Sequence, residues 1–267
     1  MSRLMLSTND RRFHAKVSPR VVLGRALKVV GAMVLAGCGR ADAPAPMATT
    51  RTGAVLCWTK GEVVLTPSAE TSGGTPPAYL RLALANAAQR WNRALDGCRA
   101  PRLLANTQSL DAPSVRDDGV NAVILHEARW CPPGVIDRND CYPSTSMGRT
   151  HLYLQPSSSP TTEGKLNGAD VELNGVGTSW AEPLTPRTKL HLEALLLHEL
   201  GHVLGLDHPC GANGEFERKP NMLRPCDDVS LRDRVMHPTW AEGERDEQMA
   251  PSRAEVAAVC SLYQSKR

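Results

Sequence analysis

The sequence predicts a single α+β domain. Short Val- and Leu-rich runs with strand character recur through the first two thirds of the chain, and apolar residues at helical spacing appear in three stretches. No internal repeat divides the 267 residues. Residues 54–65 read as a first strand. Residues 76–95 carry Leu80, Leu84, Ala87, Trp91 and Leu95 along one helical face, and Asp96-Gly97 supplies the stop signal. Residues 120–125 read as a buried strand, residues 151–154 as a short one, and residues 169–173 as another. Loops rich in Pro, Ser, Thr and Gly separate them, most plainly 156–162. A second helix is expected to start near Pro186, with Thr185 as its cap and Leu190, Ala194 and Leu197 on its core face. The last helix opens with a capping box, Ser252 and Glu255, and turns Val256, Val259 and Leu262 inward. Phe and Tyr are scarce, so the core must rest on Leu, Val, Ala and Trp.

The second helix carries the chemistry. Its sequence from His198 to His208 reads His-Glu-Leu-Gly-His-Val-Leu-Gly-Leu-Asp-His. Residues four apart share a helix face, so His198 and His202 can point at one metal ion. Gly205 tolerates the backbone turn that brings His208 back as a third ligand. Three protein ligands leave a fourth tetrahedral position open, as in catalytic rather than structural zinc sites. Glu199 follows the first ligand and sits beside that position, placed to act as a general base without binding the metal.

The residues before about position 53 do not read as folded structure. Seven basic residues and one acid precede the apolar run 29–37, which is too short to span a bilayer and about right for a signal-peptide core. The run ends Leu35-Ala36-Gly37-Cys38, which resembles the lipobox of bacterial lipoproteins; that resemblance implies a lipidated Cys38 as the first mature residue. An ordinary secretory signal is the alternative. Residues 1–37 would then be a signal peptide, 38–53 an Ala/Pro-rich tether, and 54–267 the folded domain. The leader contributes +6 to the net charge of +3, so the mature chain is near −3 and its composition gives no reason to expect nucleic acid. Export makes disulfides expected among the seven remaining cysteines. Cys131 with Cys141 and Cys210 with Cys226 each close a short loop; among Cys57, Cys98 and Cys260 one stays over, and Cys57–Cys98 is the preferred pair.

With these motifs in place, the chain resembles the metzincin superfamily of zinc endopeptidases and, within it, the matrixins. The long zinc motif carries the resemblance, together with Arg234-Val235-Met236-His237-Pro238, which is similar to the methionine turn of those enzymes. Asp170-Val171-Glu172-Leu173-Asn174 and the last helix add to it over roughly residues 54–267. The resemblance implies a mostly parallel twisted sheet with about three helices, the active-site helix being followed by a Met-turn subdomain. It implies one catalytic zinc held by His198, His202 and His208, Glu199 as general base, and Met236 packed beneath the imidazoles. A protein or peptide substrate would lie extended along the edge strand 151–154, with Pro238 and Trp240 walling its first pocket. A monomer acting outside the cytoplasm is expected, tethered to a membrane through Cys38. No motif calls for calcium. The chain departs from the matrixin pattern at Pro209 after the third histidine, in lacking a cysteine-switch propeptide, and in the segment 210–226 before the methionine turn. His126 and His151 match no structural-zinc pattern and are expected to be packing or surface residues. A zinc-binding surface lipoprotein without turnover is the rival reading of the same residues.

Overall fold

A computed structural model describes residues 3–5, 45–69, 75–156, 163–178, 180–181, 190–211, 224–241 and 250–264. Strand β1 (Arg3–Met5) lies within the stretch read as a leader and pairs antiparallel with Thr239–Ala241. The central sheet is six-stranded and contains β2 (Cys57–Trp58), β3 (Glu62–Pro67), β4 (Arg102–Ala105), β5 (Asn121–His126), β6 (Gly148–Leu154) and β7 (Lys165–Asn174). Its order is β2-β7-β5-β3-β4, with every pairing along that path parallel. β6 runs antiparallel on β7, so the sheet is mixed and mostly parallel, as expected.

Among the described residues three α-helices complete the α+β architecture: α1 (Pro77–Ala94), α2 (Leu192–Val203) and α3 (Arg253–Tyr263). The stripe read along α1 is its core face, since Leu80, Leu84, Ala87, Trp91 and Leu95 are all buried. The Trp91 indole donates to the Leu197 carbonyl at 2.8 Å, which pins α1 against α2. At the far end of α2, the Trp58 indole donates to Val203 O at 2.7 Å. These two indole bonds let large aromatic surfaces enter the core without stranding a donor.

Several boundaries differ from the sequence reading. The first strand divides into β2 and β3, because Lys60 and Gly61 break the apolar run with an exposed turn. β4 has no counterpart in the reading; it is short and its signal is weak, yet Leu103 is buried and pairs with Val63. β7 is ten residues long rather than five. Helix α2 begins at Leu192, after a two-residue strand Leu190–His191, and not near Pro186. Thr185 and Pro186 lie outside the described residues. Of the cysteines, Cys131–Cys141 and Cys210–Cys226 pair as expected, whereas Cys98 bonds Cys260 and not Cys57. Tertiary proximity decides that pair: it ties the loop after α1 to α3 across 162 residues of chain.

The two faces of the β6–β7 ladder differ in kind. Val171 and Leu173 point into the core, while Asp170 and Glu172 point to the other side, where both carboxylates are buried. Glu172 accepts from His126 Nε2 at 2.8 Å, His151 Nε2 at 2.6 Å and Tyr142 OH at 3.0 Å. His126 and His151, expected as packing or surface residues, are therefore partners of a buried acid. Burial raises the Glu172 pKa, but the two histidine bonds outweigh it and bring it to about 2, below the ordinary 4.5. Asp170 is moved the other way, upward by burial, against the bonds from Ala122 N, Tyr153 OH and Arg116 N.

A carboxylate with a depressed folded pKa contributes stability that is full above its unfolded pKa and is lost as the pH falls toward the folded value. The Glu172 contribution should therefore disappear between the ordinary 4.5 and about 2. Glu172→Gln is expected to destabilise the protein near neutrality and to flatten the acid limb of its stability curve. Urea midpoints at about pH 5 and about pH 3 check this; an equally steep fall in both proteins would reject it.

Candidate metal centre

The site begins with the burial of α2. Its residues from Ala194 to Val203 are buried without exception, so polar side chains on it must meet partners inside the protein. His198 and His202 leave the helix on one face. The helix then ends in a Schellman turn: Gly205 N–H bonds His202 O at 2.9 Å and Leu206 N–H bonds Gly201 O at 3.0 Å. Gly205 holds φ at +99°, and a methyl group there would come 2.6 Å from Leu56 O. Backbone conformation and space both require glycine. The turn returns the chain so that His208 faces the first two histidines.

The three Nε2 atoms stand 3.1, 3.1 and 3.2 Å apart. His198 Nδ1 donates to Val235 O at 2.6 Å and His202 Nδ1 donates to Leu206 O at 2.9 Å. Those carbonyls fix the tautomer and leave the Nε2 lone pairs facing one another. Burial first, and then the neighbouring His202 and His208, hold the His198 pKa well below 6.5, so the ring stays neutral. Three inward lone pairs at such distances repel unless a cation lies among them. Nitrogens bound tetrahedrally to zinc at 2.0–2.1 Å would be roughly 3.3 Å apart, close to the spacing here. The triad fits a zinc ion. A second group, Cys210, Cys226 and His237, also gathers within 4.8 Å, but both sulfurs are spent in a disulfide.

The turn at Met236 packs against the same helix. Met236 is buried, and a methyl group on Gly201 would overlap its sulfur and press on Trp91 at 3.2 Å. The glycine between the two helical histidines thus leaves the space that Met236 occupies. Glu255 links this turn to α3: one oxygen completes the capping box with Ser252 N at 2.7 Å, and the other accepts from Met236 N at 2.7 Å. The capping box was legible in the sequence; its second use was not. Pro238 is buried beyond the turn, and the side chain of Trp240 lies outside the described residues.

Glu199 is fully buried. Its Oε2 accepts from Thr150 Oγ1 at 2.6 Å, while Oε1 has no partner among the described residues. Burial raises its pKa to about 8, opposed by the Thr150 bond and the Arg149 charge. The Arg149 guanidinium lies 4.1 Å over the Tyr142 ring. Strand β6, the expected substrate edge, pairs with β7 alone among the described strands, and its other edge carries no pairing there.

Residues 45–50 contain the main surprise. Read as a tether, they pack on the metal loop instead. Ala48 N–H bonds Gly205 O at 2.8 Å, Asp207 N–H bonds Pro46 O at 3.0 Å, and Met47 bridges Leu206. Ala45, Met47 and Ala48 are buried. The Ala- and Pro-rich composition hid this, because small residues that fit a narrow groove leave no hydrophobic period to read.

No family model matches the chain, and no curated protein matches it. Among solved structures it is similar to myroilysin, at 14% identity over 82% of this chain and 99% of that one, with a TM-score of 0.36. It is also similar to metalloproteinase-II from Bacteroides fragilis, at 11% identity over 84% of this chain and 60% of that one, with a TM-score of 0.35. Likenesses this low carry no argument for function, which rests on the site.

Removing a backbone donor from the strap should loosen the third ligand. Ala48→Pro deletes the N–H that bonds Gly205 O. It is expected to weaken zinc binding about tenfold, as loss of an outer-shell support does. Chelator-competition titration measures this, and unchanged affinity would mean that the strap is ornamental to the metal.

Proposed function

We propose that this protein is a zinc-dependent endopeptidase of the metzincin type, matrixin-like at its methionine turn. The observation that carries the reading is the convergence of three Nε2 atoms within 3.2 Å, next along the helix to a buried carboxylate whose Oε1 has no partner among the described residues. Three histidines are a donor set suited to zinc, with a position left for a reacting molecule. When bound, the ion supplies Lewis acidity toward a carbonyl or water oxygen.

The chain's own groups do the rest. Glu199 Oε1 takes the proton of the attacking water and passes it to the leaving amine. Burial holds this carboxyl above the ordinary carboxylate range, which favours proton acceptance. The edge of β6 that carries no pairing among the described strands offers backbone donors and acceptors to an extended peptide, which fits a protein substrate better than a small one. Pro238 and Trp240 are the residues proposed for the wall of the first pocket past the scissile bond.

We also read the protein as exported, and three disulfides among the described residues support an oxidising compartment. Anchoring through Cys38, which lies outside the described residues, has its own check. Mass spectrometry of the membrane fraction is expected to find a lipid-modified Cys38 at the mature N-terminus; recovery of the unmodified residue would remove the anchor.

Casein digestion tests the activity. Glu199→Ala is expected to abolish cleavage while keeping its zinc, and His202→Ala to lose both. Equal cleavage by wild type and Glu199→Ala would sink the mechanism. A zinc-loaded wild type that cleaves nothing would turn the reading to a metal-binding surface protein.

A further inference from the structure

Strand β6 reaches the site from the sheet, and its inner face meets Glu199 twice. Gly148 and Thr150 are two apart and therefore project to the same side, toward α2, while Arg149 and His151 face away. The Thr150 hydroxyl donates to Glu199 Oε2 at 2.6 Å and lies 3.3 Å from the Glu199 carbonyl. Gly148 does not adopt a positive φ, so its lack of a side chain answers a need for space. A methyl group at 148 would overlap Oε1 and stand 2.8 Å from Cδ and 3.1 Å from Cγ of Glu199. Nothing in the zinc motif announced either residue.

We propose that Gly148 and Thr150 are positioning residues for the general base, Thr150 holding one carboxylate oxygen so that the other faces the reacting water. The proposal rests on the peptidase reading and adds to it. A glutamate side chain has three rotatable bonds, and left alone it would spread over several rotamers at the cost of reaction geometry. The Thr150 bond commits Oε2 as an acceptor, which leaves Oε1 as the proton acceptor. Gly148 leaves the room that Oε1 itself occupies, so that the carboxylate can lie against the strand. Thr is β-branched and stiff on a strand, so its hydroxyl direction is fixed by the sheet. The strand that would carry the substrate backbone thereby also sets the base, and one element registers the two reacting partners against each other.

The test uses the full chain with Thr150→Val, Thr150→Ser and Gly148→Ala, each loaded with zinc and assayed on a quenched fluorescent peptide. Thr150→Val keeps the shape and removes the donor. It is expected to lower kcat about 100-fold, with KM unchanged within about twofold. Zinc content and melting temperature should stay close to those of the wild type. Thr150→Ser should recover most of the rate, and Gly148→Ala should lose kcat as the valine variant does. A wild-type kcat in Thr150→Val, or a serine variant no better than valine, overturns the proposal. Crystal structures of the wild type and Thr150→Val give a readout free of turnover. Glu199 should leave its rotamer in the variant, and an unmoved carboxylate overturns the proposal even if the wild type proves to cleave nothing, which would by itself defeat the peptidase reading.

Discussion

The backbone turn at Gly205 is the constraint on which the site depends. Two histidines on one helix face are a local property, fixed by the helical repeat. The third is not, because it must come back from beyond the helix end. Gly205 permits the reversal through its positive φ, and Leu56 O sits so close that no side chain could replace the hydrogen. The Schellman bonds then fix the exit direction, and the Leu206 carbonyl made available by the turn orients His202. One residue thus places His208 and, through its neighbour, sets the tautomer of His202.

The remaining supports act on that turn and on the helix before it. Residues 45–50 lie along it as a short strap. Met236 fills the space that Gly201 leaves and is held in turn by Glu255 from α3. Val235 O fixes His198. Each bond is ordinary in strength, about 1 kcal/mol net. Their value lies in direction, since each fixes which way a buried imidazole faces. The disulfide from Cys98 to Cys260 holds α3, and with it Glu255, to the body of the domain.

The sheet divides its labour by face. On β6 and β7 the inner residues build core and grip Glu199, while the outer ones form a buried polar layer around Asp170 and Glu172. A carboxylate with three donors aimed at it is comfortable without water, which is how two acids fit on a central strand. The alternation that makes this work is the ordinary pleat of a strand, used with polar partners on both ladders instead of one dry face and one wet face.

Legible in the chain alone were the three clustered histidines, the acid beside them, the turn at Met236, the three described helices and two of the disulfides. All are encoded locally: a helical repeat, a glycine, a capping box, or cysteines a few residues apart. Tertiary structure decided what spacing cannot express. It paired Cys98 with Cys260 and gave His126 and His151 a common acid. It laid residues 45–50 on the metal loop and brought Thr150 and Gly148 to Glu199, 49 residues away along the chain from the threonine. The physical reason is the same in each case. A contact between distant segments depends on how strands order themselves in the sheet and how closely helices pack on it, and no single stretch of the chain records that arrangement.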